Sequence, residues 1–135
     1  MALKNNPTGW RELAIWILCG LVSIGFLMAG VAKVTASEVM VANFARWHYP
    51  GWFMYAIGLA EIGGALLLVI PRLATLGGIG LAVLMVGAVF THLGNGEGIG
   101  AATPATILLL LCLGIAYLRR KSLETLIGSI TAARG

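Results

Sequence analysis

A chain of 135 residues is long enough for one domain. With 59% hydrophobic and 10% charged residues it is too apolar for a soluble fold, where about a quarter of residues carry charge. The net charge of +4 does not point to nucleic acid, because the basic residues flank apolar runs and form no basic face. Two cysteines, Cys19 and Cys112, lie inside apolar runs with no CxxC pattern, so neither a disulfide framework nor a zinc site is readable.

In chain order, the first apolar run covers residues 13–33. At roughly 20 residues it exceeds the 7–15 of a signal-peptide core and reads as a retained membrane helix. Residues 34–51 form the one sizeable loop. Within it Ser37 can cap a short helix Glu38–Arg46, with Glu38 favourable at the positive end. Phe44, Trp47, Tyr49 and Trp52 make an aromatic lid at the membrane interface. The second span, 52–70, is interrupted only by Glu61, and Pro71 and Arg72 close it. The third, 73–93, follows so soon that the pair must be an antiparallel hairpin.

Residues 94–98, rich in glycine, read as a flexible turn. Thr103 and Pro104 open the fourth span, 103–118, with proline in the first turn where its missing N–H costs nothing. The tail, 119–135, is mildly amphipathic and either lies on the membrane surface or is disordered. The expected fold is therefore an all-α membrane protein: a four-transmembrane-helix up-down bundle, with a short interfacial helix between the first and second spans. Lys4, Arg11, Arg72, Arg119, Arg120, Lys121 and Arg134 fall on one side, and only Lys33 and Arg46 on the other. Seven against two predicts both termini in the cytoplasm and the loop outside.

Small and polar residues recur on one face of each span: Cys19, Ser23, Phe26, Gly30 and Lys33; Met54, Gly58, Glu61, Ala65 and Leu68; Gly77, Gly80, Leu84, Gly87 and Thr91; Ala102, Ala105, Leu109, Cys112 and Ala116. Such faces pack together in lipid, where small residues permit close approach. Glu61 lies about nine residues, or roughly 14 Å, below the outer end of its helix. A carboxylate at that depth needs a partner or a proton. Lys33 is the candidate partner, with His92, Arg46 and His48 around the same mouth.

Three readings of this polar funnel are open. It is a structural ion pair fixing helix register, a pocket for a small amphipathic ligand such as a quinone, or a proton or solute path. Metal ligation by His48 and His92 is disfavoured for want of ligand spacing and a third donor.

The run from Gly25 to Lys33, then Tyr49 and Pro50, then Gly58, Glu61 and Gly64 in their Gly-x-x-Glu-x-x-Gly block, then Arg72 and the stretch ending at His92, resembles the DoxX-like membrane proteins. The resemblance implies four transmembrane helices and a bacterial inner membrane, and it puts Lys33, Glu61 and His92 on positions typical of that family. It implies no catalytic set, since a fold is shared more widely than an activity. The family takes its name from the small subunit of an archaeal thiosulfate:quinone oxidoreductase. The expected function is accordingly an accessory or interaction subunit of a larger, redox-linked membrane complex, not an enzyme on its own. The alternatives are a quinone-binding component of an oxidoreductase and a proton-coupled small-solute transporter. The expected partners are membrane lipid and other membrane subunits or a second copy of the chain, with quinone as the one cofactor considered.

Overall fold

Four helices long and apolar enough to cross a membrane dominate the computed structural model, which describes residues 7–135. They are α1 (Pro7–Val34), α3 (Gly51–Leu68), α4 (Ala74–Gly94) and α5 (Ile99–Leu118). Two further helices flank them: α2 (Glu38–Arg46) between α1 and α3, and α6 (Arg120–Arg134) after α5. The chain is an all-α, multi-pass membrane protein. Each spanning helix is followed by its antiparallel neighbour, so α1 packs on α3, α3 on α4 and α4 on α5, while α1 and α5 meet more sparsely. The end bearing α2 is called here the lid face, and the opposite end, with the start of α1 and with α6, the terminal face.

Glycine decides where the backbones touch. A methyl group built on Gly30 of α1 would lie 2.7 Å from the Gly58 carbonyl oxygen of α3, and one on Gly58 would lie 2.9 Å from the Gly30 carbonyl. This α1–α3 crossing lies in the half of the bundle nearer the lid. The other two crossings lie nearer the terminal face. Gly77 of α4 meets the Gly64 carbonyl of α3 with the same 2.9 Å margin, and Gly78 meets the Cys112 carbonyl of α5 with 2.8 Å. Without water to squeeze helices together, this backbone proximity supplies the packing energy.

Polar ties follow the same division. Ser23 donates to the Ala65 carbonyl at 2.8 Å, joining α1 to α3. Thr75 donates to the Ala116 carbonyl, joining α4 to α5. At the terminal face Arg119, only 7% exposed, donates from its guanidinium to Glu12 and lies over the Trp16 ring, closing α5 onto α1. The sequence reading gave Arg119 only a topological role; it is a buried helix-to-helix tie. With their terminal halves clamped and no glycine crossing between α3 and α4 near the lid, the helices leave space there.

Several boundaries differ from the sequence reading. Helix α1 begins at Pro7, six residues before the apolar run, because a helix can continue through polar Arg11 and Glu12 beyond the hydrocarbon. Helix α5 begins at Ile99, so Pro104 sits inside it and not in its first turn. The glycines at 98 and 100 had masked that start. Ser37 stands at the N-cap of α2 but makes no side-chain cap bond. On α4 the buried face runs through Gly77, Gly78, Leu81 and Met85, whereas Gly80 and Gly87, expected inward, are exposed. The tail is helical as α6, with no buried residue.

Candidate functional site: a lidded cavity between the helices

Three helices finish with the same hydrogen-bonded reversal, in which a left-handed residue lets the chain fold back over its last turn. After α1, Ala36 (φ 51°) takes that position and the Ser37 N–H reaches the Ala32 carbonyl. After α2 it is His48 (φ 59°), with the Tyr49 N–H on the Phe44 carbonyl. After α4 it is Gly96 (φ 71°), with the Glu97 N–H on the His92 carbonyl. The last reversal brings Glu97 back beside His92, so the two side chains meet through His92 Nδ1 and Glu97 Oε2.

Glu97 is the hub of the lid. Its Oε1 accepts from the Trp47 indole N–H at 2.8 Å and pairs with Arg46 at 2.8 Å. The Trp47 hydrogen bond and then that of His92 hold the Glu97 carboxyl below the usual carboxylate range; burial opposes them, and the nearby Arg46 charge adds a smaller lowering effect. Two residues on, the Tyr49 hydroxyl shares a hydrogen bond with Thr91 at 2.7 Å. Phe44, Trp47, Tyr49 and Phe53 stack against one another with ring centroids 5.0–6.4 Å apart, and Trp47 meets the His92 ring edge-on. Helix α2 is thereby fastened to the end of α4.

Beneath the lid lies the charged floor. Lys33 donates to Glu61 at 2.8 Å, and their side chains are 12% and 4% exposed. The close Gly30–Gly58 crossing one turn away sets this distance, because it brings the two helix backbones into contact beside the pair. Lys33 also reaches back to the Ala29 carbonyl at 3.4 Å. The pair is buried and internally neutral, the arrangement in which a charge is tolerated in lipid.

Between lid and floor is a cavity of about 530 Å³. Its polar lining is the Lys33–Glu61 pair, Asn43, Tyr49, Thr91 and His92; the rest is apolar. The lining also runs through Phe53 and Ile57 of α3 to Val83 and Gly87 of α4. Val83 is 65% exposed on the outer surface of the bundle, so the cavity continues into a slot between α3 and α4 that faces the bilayer.

A sequence model of the DoxX-like family matches residues 17–114. The chain belongs to the DoxX-like family. The matched region holds the cavity, its floor and its lid. This family member is similar to the uncharacterized protein YdgD of Bacillus subtilis (strain 168), at 33% identity over 76 residues, covering 53% of this chain and 67% of the relative. No solved structure matches.

The expected site residues do not all converge. Lys33, Glu61 and His92 line the cavity. Arg46 stands on the rim, where it pairs with Glu97. His48 is exposed and lies outside the lining, serving as the left-handed joint after α2. Trp52 is exposed and the next residue, Phe53, takes its place in the lid, since one residue turns a helix by about 100°. His92 is held by the Glu97 carboxylate. Glu97 was missed because three glycines around it read as slack. Its signal was a glycine two residues past a helix end and an acid immediately after, the spacing of a folded-back cap. Among the described residues no three metal-ligating side chains cluster.

Proposed function

We propose that this DoxX-like protein binds a small amphipathic molecule of the quinone class, with its polar ring in the lidded cavity and its apolar tail leaving through the α3–α4 slot. One observation carries the reading: a ligand-sized, largely apolar cavity has a charged floor, a hydrogen-bonding rim and an opening towards lipid. A quinone ring is neutral and carries two acceptor oxygens. The Lys33 ammonium at the floor and the Asn43 side-chain NH2 at the lid, whose oxygen alone is engaged by Arg46, are donors lining the cavity, and the aromatic lid supplies a flat apolar wall.

Cys19 and Cys112 are free and buried in the core, outside the cavity lining. This favours the ligand over a side-chain thiol as the redox-active party. The protein would then act as an accessory subunit, presenting the ligand to a polypeptide that exchanges electrons with it. The excess of basic residues at the terminal face supports a bacterial inner-membrane placement with that face in the cytoplasm.

The test is to purify the protein in mild detergent, extract it, and identify the released lipids by mass spectrometry for wild type and Glu61→Gln. A quinone retained near one per chain, and reduced about tenfold in the variant, is the expected result. If none is retained and Glu61→Gln changes neither lipid content nor stability, the reading fails. For the accessory role, a stoichiometric second polypeptide should accompany the native protein. A particle made of this chain alone removes that role.

A further inference from the structure

A second crevice, of about 300 Å³, lies at the terminal face between the α3–α4 turn and α6. It is lined by Arg72, Ser122, Thr125, Leu126 and Ser129. The proposed ligand site has no part in it, and none of these residues lines the lidded cavity. Three hydroxyls and one guanidinium around a single small space are unusual in a chain with so few polar residues.

The donors and acceptors in the crevice are already sorted. Thr125 donates its hydroxyl hydrogen to the Lys121 carbonyl and Ser129 to the Leu126 carbonyl, so both present lone pairs to the crevice. Among the described residues neither the Ser122 hydroxyl nor the Arg72 guanidinium has a hydrogen-bond partner, so both can donate. Neighbouring guanidinium groups are engaged elsewhere: Arg119 by Glu12, and Arg120 by the Tyr117 carbonyl and ring. The nearest acid on α6, Glu124, lies on the opposite side of the helix from Ser122, about 160° round.

The surroundings place this crevice against lipid. Helix α6 is amphipathic and exposes Ile127 and Ile130 along one side, next to the crevice side. A helix with an exposed apolar stripe and basic residues at its start lies in the plane of a membrane surface. Arg72 sits in the two-helix turn that must emerge at that surface.

We propose that this crevice holds the headgroup of an anionic phospholipid from the leaflet at the terminal face. Arg72 and Ser122 donate to the phosphodiester oxygens, in the forked geometry that suits guanidinium and phosphate. Thr125 and Ser129 accept from hydroxyls on the headgroup, and Leu126 covers the start of the acyl chains. A glycerol headgroup, as in phosphatidylglycerol, supplies both the charge and the hydroxyls. The lipid would pin α6 to the bundle, which its own side chains do not, since none is buried.

Native mass spectrometry of the full chain reads this directly, after equilibration with vesicles of phosphatidylglycerol and phosphatidylcholine in equal amounts. Wild type should retain one phosphatidylglycerol preferentially. Arg72→Gln should lower retention about tenfold, and the uncharged change Ser122→Ala with Ser129→Ala about threefold, while Lys121→Gln, outside the crevice, stays within about twofold. Equal loss in Lys121→Gln and Arg72→Gln would show surface attraction without a site and overturn the proposal. So would full retention in the serine variant, which keeps every charge. If inorganic phosphate in the buffer displaces the lipid, the crevice takes a free anion and the phospholipid assignment is wrong.

Discussion

Lys33 and Glu61 stabilise each other only as a pair. Removing one partner leaves a bare charge in a low-dielectric interior, whereas replacing both removes the desolvation cost along with the attraction. Lys33→Met alone should therefore cost about 3–5 kcal/mol in reversible unfolding in detergent, while Lys33→Met with Glu61→Met should return to within about 1 kcal/mol of wild type or above it. Glu97 carries a pH dependence of its own. Its pKa is lower in the folded protein than in an unfolded chain, so its ionised form contributes stability that is complete above the unfolded value near about 4.3. That contribution is lost as pH falls through the depressed folded value. Amide protection in α2, measured relative to the intrinsic exchange rate at each pH, should fall as pH drops below about 4, and Glu97→Gln should show several-fold lower protection already at neutral pH, with little further change in acid. His48, a candidate binding residue by sequence, is held left-handed, a conformation that costs a non-glycine residue about 1–2 kcal/mol. His48→Gly should raise stability by about 1 kcal/mol and leave lipid content unchanged.

At the scale of the helices, glycine position separates packing from decoration. Gly30 and Gly58 leave no room for a methyl group, whereas Gly63 and Gly80 have open space. Gly58→Ala should push α1 off α3, lowering the melting temperature and disturbing the Lys33–Glu61 pair; Gly63→Ala should leave both as they are. The sequence showed the helices well, because long apolar runs bounded by charges have few other solutions. It also showed the inward face of α3, where Met54, Gly58, Glu61, Ala65 and Leu68 are all buried. On α4 it placed Gly77 in the packing and Leu84, Gly87 and Thr91 around the cavity, but misplaced Gly80 for a physical reason. Glycine marks close packing only when a neighbour is there to pack, and Gly80 is exposed with none within 4 Å. The lid was half legible. Phe44, Trp47 and Tyr49 could be named from their place in the loop, but their anchor on Glu97 required knowing that the chain folds back after α4.

Across the whole molecule, the uneven distribution of helix crossings makes the cavity. Two of three glycine crossings and the Glu12–Arg119 tie gather at the terminal face, and the cavity lies towards the other end, lined from both α3 and α4. No periodicity in the sequence reports such an arrangement, and the cavity was legible only as a set of polar residues at similar depth. Gly87 offers a way to test the slot without disturbing the fold, because it lines the cavity and a side chain there meets nothing. Gly87→Leu should narrow the slot, reducing retained amphipathic ligand several-fold while the melting temperature stays unchanged. The internal neutrality of the floor has an electrical consequence. A lone charge moved across a membrane works against about 2.3 kcal/mol per 100 mV, but the opposite charges of Lys33 and Glu61 experience nearly cancelling forces. An uncharged guest would come and go without electrical work, so its occupancy should be the same in polarised and depolarised cells.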